Sequence, residues 1–192
     1  PNWDAALPSD MYSGFVNSTY SPTYGQLHSH YLFVECEKEP AKAPLLVWYN
    51  GGPGASSLFG MMIELGPFMF NDESLATAAY KRNGIPSPVA NPYAWSKVAN
   101  VLAISAPPPV GFSWCDAGGP GGDGYSCGDW DDDRTAAAND ASLRSWVRAF
   151  PEYANSPMYV FGESYAGIYV PTLVRSILAN NDAGVSPKLN IA

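Results

Sequence analysis

Apolar residues in this chain fall into two patterns, and the order of the patterns predicts its architecture. Leu45-Leu46-Val47-Trp48-Tyr49 and Val101-Leu102-Ala103-Ile104-Ser105 are continuous apolar runs, each ending in a Gly/Pro cluster. Such runs suit central strands covered on both faces. Met158-Tyr159-Val160-Phe161 is a shorter run of the same kind, whereas Tyr12-Ser13-Gly14-Phe15-Val16 and His30-Tyr31-Leu32-Phe33-Val34 are aromatic-rich. The Ser/Thr/Tyr/Gly/Pro segment 17–26 between these two reads as a hairpin loop. The other pattern is helical. Leu143, Trp146, Val147 and Phe150 follow the i, i+3, i+4, i+7 spacing of one helix face between Asp131 and Phe150. A second helix is predicted after Ser164, with Val170, Leu173, Val174, Ile177 and Leu178 on one side and Pro171 starting or kinking it. Residues 76–91 read as an irregular surface excursion. Strands alternating with helices predict a mainly parallel sheet with crossover helices, preceded by an antiparallel N-terminal pair.

Composition narrows the classes. The 192 residues suffice for one domain with a real core, and 46% are apolar while only 15% are charged. A net charge of −8 argues against nucleic acid or an anionic membrane as partner, because little is available to neutralise phosphates. No apolar run is long enough to span a bilayer. The start at Pro1 reads as a processed end or a boundary, so the missing leader says nothing against secretion. Asp129 and Asp131 to Asp133 cap the entrance of the first long helix and complement its dipole, a solvated role preferred to a metal site. Of the cysteines, Cys115 and Cys127 flank a Gly-rich loop that a disulfide would close, with two free buried thiols as the alternative; Cys36 is left over. Asn17-Ser18-Thr19 is a glycosylation acceptor triplet.

Two segments carry chemistry. In Tyr159-Val160-Phe161-Gly162-Glu163-Ser164-Tyr165-Ala166-Gly167 a strand runs through Gly-x-Ser-x-small directly into a helix, the context of a nucleophile elbow. The turn demands small neighbours, hence Gly162 and Ala166. It also lifts the serine hydroxyl to a helix N-terminus, where developing negative charge is favoured. Asn50-Gly51-Gly52-Pro53-Gly54-Ala55-Ser56-Ser57 follows the strand ending at Tyr49. Its glycines let backbone N–H groups approach an anionic oxygen; read alone they also fit a plain tight turn.

Those two motifs, with Glu64-Leu65-Gly66-Pro67, Asn91-Pro92-Tyr93-Ala94-Trp95 and Gly111-Phe112-Ser113-Trp114, resemble the serine carboxypeptidase family from near residue 12 onward. The resemblance implies an α/β-hydrolase fold, with residues 1–192 forming the N-terminal part of one such domain. It implies Ser164 as nucleophile and the N–H groups of Gly52 and Tyr165 as oxyanion hole. Asn50, Glu163 and the N–H of Gly51 would bind the substrate's terminal carboxylate, with Glu64 in the same group. The alternative for Glu64 is a plain helix-face carboxylate. Ala55 departs from the family pattern, which has a cysteine there. No cofactor is implied. With the acceptor triplet and the expected bridge, the expected location is the secretory route, vacuolar or lysosomal or extracellular.

A serine nucleophile needs a base and an orienting acid, in the order Ser, Asp, His for this fold. After Ser164 there is no histidine, and the one aspartate, Asp182, sits at a helix end. His28 and His30 lie far upstream and read as ordinary strand residues rather than metal ligands. Lys188-Leu189-Asn190-Ile191-Ala192 reads as the opening of another strand. The triad Asp and His are therefore expected on a further segment or a second chain. Three activities stay open: an exopeptidase acting on peptide or protein C-termini, favoured by Asn50, Glu64 and Glu163; an acyltransferase using the same elbow; and a non-catalytic binding or protective protein.

Overall fold

A computed structural model describes residues 6–21, 25–119 and 127–192. In chain order the elements are β1 (Met11–Ser21), β2 (Gly25–Val34), β3 (Leu45–Tyr49), α1 (Leu58–Ile63), β4 (Phe68–Met69), α2 (Asp72–Ala76), α3 (Ala78–Asn83), β5 (Val89–Ala90), β6 (Asn100–Ile104), β7 (Trp114–Cys115), α4 (Asp132–Ala149), β8 (Met158–Gly162) and α5 (Ala166–Asp182). One six-stranded sheet has the order β1-β2-β6-β3-β8, with β7 added to β2. The N-terminal pair β1/β2 is antiparallel, and β3 lies parallel to both β6 and β8.

The continuous apolar runs exist because the sheet is covered on both sides. Alternate residues of a strand point to opposite faces, and here they enter two different cores. Phe33, Leu45, Val47, Tyr49, Leu102 and Ile104 pack against Leu143, Trp146, Leu173 and Ile177 of α4 and α5. Leu32, Val34, Trp48, Val101 and Ala103 pack against Met61 and Leu65 on the other side. Of the stripe predicted for the first long helix, Leu143, Trp146 and Val147 are buried, while Phe150 is the half-buried C-cap of α4. Asp131 caps that helix by accepting from the Arg134 N–H at 2.7 Å, and Asp132 and Asp133 fill its first turn.

Four expectations are corrected. The strands of the N-terminal hairpin run on to Ser21 and from Gly25, with Asn17 opposite His28 and Thr19 opposite Gln26; residues 22–24 lie outside the described residues. Buried Ser18 alternates with exposed Asn17 and Thr19, so polar residues continue the strand period that their loop propensity conceals. Segment 76–91 is more regular than expected. Thr77 ends α2 and caps α3 through its hydroxyl, Gly84 closes α3, and β5 pairs with β4. β8, expected to be covered on both faces like β3, leaves Tyr159 and Phe161 exposed, as the end strand of the sheet among the described residues. Of the two roles expected for Pro171, starting or kinking the second helix, the first does not hold, since it falls inside α5.

Candidate active site

Strand register assembles the centre. With β3 and β8 parallel and Tyr49 opposite Gly162, the next residues along each chain, Asn50 and Glu163, emerge side by side at the carboxyl ends of the strands. Open α/β sheets place ligands at such ends. Asn50 is buried, and its orientation follows from its donors: Oδ1 accepts from Trp48 Nε1 at 2.9 Å and from the Gly60 N–H at 3.0 Å. That turns Nδ2 toward Glu163, where it donates to Oε1 at 2.8 Å. Glu64 ends α1 just beyond. Desolvation by its surroundings, and secondly the charge of Glu163, hold the Glu64 carboxyl above the usual carboxylate range. Asn91 fixes the Glu64 backbone, donating from Nδ2 to the carbonyls of Glu64 at 3.0 Å and Gly66 at 2.9 Å.

Ser164 stands exposed at the turn after β8 with φ +56°, a left-handed conformation that a non-glycine residue reaches only at a cost of about 1–2 kcal/mol. The neighbours explain how it persists. A Cβ at Gly162 would come within 2.4 Å of the Tyr49 carbonyl and of Ala166 Cβ, so the elbow lies directly on β3 and on its own helix. A Cβ at Gly51 would come within 2.5 Å of the Tyr165 nitrogen. The loop carrying Gly52 and the turn carrying Tyr165 are therefore in backbone contact beside the serine. The loop is tied down by the bond from Ala55 N–H to the Gly51 carbonyl at 3.0 Å and by Asn50 N–H to Ser57 Oγ at 3.3 Å. A cavity of about 380 Å³ opens alongside, its walls including Pro53, Gly54, Trp130, Asp132, Tyr165 and Tyr169.

The structure thus gathers Asn50, Gly51, Gly52, Glu163, Ser164 and Tyr165 at one edge of the sheet, with Glu64 facing the charge of Glu163. The histidines are engaged elsewhere. His30 is buried, with Ser13 Oγ 3.0 Å from Nε2. His28 stacks on Trp114 and bridges Asn17 Oδ1 and Asp116 Oδ1, each at 2.8 Å. Asn17 itself is exposed on β1. Cys115 and Cys127 form a disulfide, Cα–Cα 5.8 Å, and Cys36 is a buried free thiol; of the loop between the bridged cysteines, residues 120–126 lie outside the described residues. Sequence reasoning missed Trp48, Asn91 and Asp132 as supporting residues. Asn91 sat in a quoted motif, and Asp132 was seen only as a helix-entrance charge, although Tyr165 Oη donates to its Oδ1 at 3.0 Å.

Comparison with known proteins bears on the family and the fold. The sequence family described as serine carboxypeptidase matches residues 1–192. "Serine carboxypeptidase-like 20" of Arabidopsis thaliana is 40% identical over 190 residues, 99% of this chain and 35% of the relative. "Lysosomal protective protein" of Mus musculus is 38% identical over 181 residues, 94% of this chain and 32% of the relative. This chain therefore spans about a third of the length of these relatives. Among solved structures, Kex1(delta)p, a prohormone-processing carboxypeptidase from Saccharomyces cerevisiae, superposes with a TM-score of 0.75 at 23% identity, covering 95% of this chain and 37% of that one. At that identity it establishes the α/β-hydrolase fold alone.

Proposed function

The chain belongs to the serine carboxypeptidase family, and from that premise we propose that the intact protein hydrolyses the C-terminal peptide bond of peptides or proteins through an acyl-enzyme on Ser164. Ser164 Oγ attacks the scissile carbonyl while the N–H groups of Gly52 and Tyr165 receive the oxyanion. Collapse of the tetrahedral intermediate expels the C-terminal amino acid, and water then cleaves the acyl-serine ester. The histidine base and its aspartate are assigned to a segment beyond these residues, so the 192-residue piece alone is expected to be nearly inert. Oxidation of Cys115 and Cys127 supports a secretory-route location, as does the lysosomal relative.

The observation that carries this reading is the Asn50–Glu163 hydrogen bond immediately before Ser164, with Glu64 facing the same charge. Such a cluster selects a terminal carboxylate. Two neighbouring carboxyls do not both ionise cheaply, and the one with raised proton affinity, Glu64, can donate to an incoming carboxylate. The sign follows: recognition holds below the raised pKa of Glu64 and is lost as pH rises through it.

The test uses the intact protein on paired peptides with free and amidated C-termini. KM for the free acid should rise toward neutral pH and KM for the amide should stay flat, while Glu64→Gln, a donor at every pH, should flatten the free-acid curve. Identical pH dependence of KM for both peptides would reject the carboxylate cluster. Preferential transfer of the acyl group to an added alcohol would move the protein to the acyltransferase class.

A further inference from the structure

The three consecutive carboxylates at the start of α4 have separate fates. Asp131 Oδ1 caps the helix through the Arg134 N–H, and its Oδ2 lies 3.4 Å from Arg134 Nε. Asp133 pairs with Arg175 at 2.5 Å. Asp132 turns the other way and accepts the Tyr165 hydroxyl across the gap between α4 and the elbow. That bond is part of why the Tyr165 phenol resists ionisation, the Asp132 bond being the largest cause and desolvation the next.

Tyr165 is the residue after the strained serine, and the peptide joining them carries the Tyr165 N–H. A left-handed serine relaxes by rotating its flanking peptides, which would swing that N–H away. Strain of this kind persists only where the surroundings over-determine it. On the backbone side Gly51 leaves no slack, since a Cβ there would lie 2.5 Å from the Tyr165 nitrogen. On the side-chain side the Tyr165 ring rests edge-on against buried Tyr169, ring centres 5.1 Å apart. Its remaining flank is open to the cavity of about 380 Å³. The ring is thus half-buried, packed on the core on one side and lining the cavity on the other, and the bond to Asp132 is the directional contact that fixes its hydroxyl end.

We propose that Asp132 is a positioning residue for acyl transfer: it fixes the Tyr165 ring, and through it the peptide whose N–H serves the oxyanion. The inference rests on the assignment of Ser164 and Tyr165 above. Asp132 itself touches no reacting atom, and what it requires is an acceptor at its Oδ1, not a negative charge.

The experiment uses the intact protein and two readouts: the rate at which a fluorophosphonate labels Ser164, and kcat and KM on one neutral and one lysine-containing peptide. Asp132→Ala should slow labelling and lower kcat by roughly ten- to a hundredfold, the scale of small misplacements of catalytic groups, with KM unchanged on both peptides. Tyr165→Phe, which keeps the ring and the N–H but has no hydroxyl to donate, should match it. The double variant should be no worse than either single one, because the two act as a unit. Asp132→Asn keeps an acceptor and should recover most of the rate. Asp133→Asn, altering an exposed pair away from the elbow, should leave both readouts unchanged. Labelling of Asp132→Ala at the wild-type rate would overturn the inference while leaving the nucleophile assignment intact. Failure of Asn to rescue, with KM rising only for the lysine peptide, would overturn it in favour of direct recognition of a cationic side chain. A wild-type protein not labelled at Ser164 would remove the underlying assignment and the inference together.

Discussion

Two polar assemblies, one between α4 and α5 and one at the carboxyl ends of β3 and β8, use the same chemical groups to opposite ends. Between the helices, Arg144 and Asp140 are both buried and ion-paired at 2.8 Å. Arg144 Nη1 donates to the carbonyls of Val185 and Pro187, and Nη2 donates to the Ile177 carbonyl and Asn181 Oδ1. With Nε on Asp140, the guanidinium's capacity of five N–H donors meets five acceptors. Asp140 also receives Asn180. The assembly at the strand ends is unlike this. Asn50 is held from behind, but Glu163, Glu64 and Ser164 stand exposed, the serine in a strained conformation and Glu64 with its proton affinity raised. Saturation of every donor marks a group that holds the fold, whereas open valence with strain marks a group that waits for a ligand.

The comparison breaks most visibly at Arg144. Arg144→Ala should destabilise the intact protein by about 3–5 kcal/mol in denaturant titrations, because it strands a buried Asp140 carboxylate. A cost within ~0.5 kcal/mol, the range of ordinary surface substitutions, would remove the distinction between the two assemblies. Ser164→Gly tests the other side: it should abolish fluorophosphonate labelling yet raise stability by about 1 kcal/mol, since glycine takes a positive φ without strain. A less stable glycine variant would show that the elbow is not strained by its serine.

The smallest effect belongs to the His28–Asp116 pair, which is part of neither assembly. The His28 bond first, and the bond from the Gln26 N–H second, hold the Asp116 carboxyl below the usual range. A depressed carboxyl contributes its stability above its unfolded pKa and loses it as pH falls through the folded one. Amide exchange at Gln26, corrected for its intrinsic pH dependence, should therefore lose protection as the pH is lowered through that window. Asp116→Asn should remove that acid-dependent loss, and an unchanged pH profile in the variant would contradict the assignment.

The sequence makes legible what depends on local backbone demands and conceals what depends on register. The elbow at Gly162 to Ala166 and the loop at Asn50 to Ser57 are spelled out in small residues because close backbone approach forces them. The strand Leu45–Tyr49 is legible because both faces are buried, which leaves no polar alternation to misread; Met158–Gly162 reads the same way in sequence although Tyr159 and Phe161 are exposed. The short helices of segment 58–83 were not, since five or six residues carry too little periodicity. Asp140 and Arg144 show the i, i+4 spacing of a pair, yet nothing local tells that acceptors from residues 177–187 close around them. The Asp132–Tyr165 bond spans 33 residues and is visible only once α4 is laid against the elbow.

The pairing of Tyr49 with Gly162 has a consequence for fidelity of folding. A slip of one residue between two strands sends every side chain to the opposite face, so Val47 and Tyr49 would leave the core that Trp146 and Leu173 complete. The same slip would carry Asn50 away from Glu163. Core burial and assembly of the carboxylate cluster are thus checked by one and the same alignment. A misaligned chain loses buried surface at once, so the pairing that favours the core also favours the correct cluster.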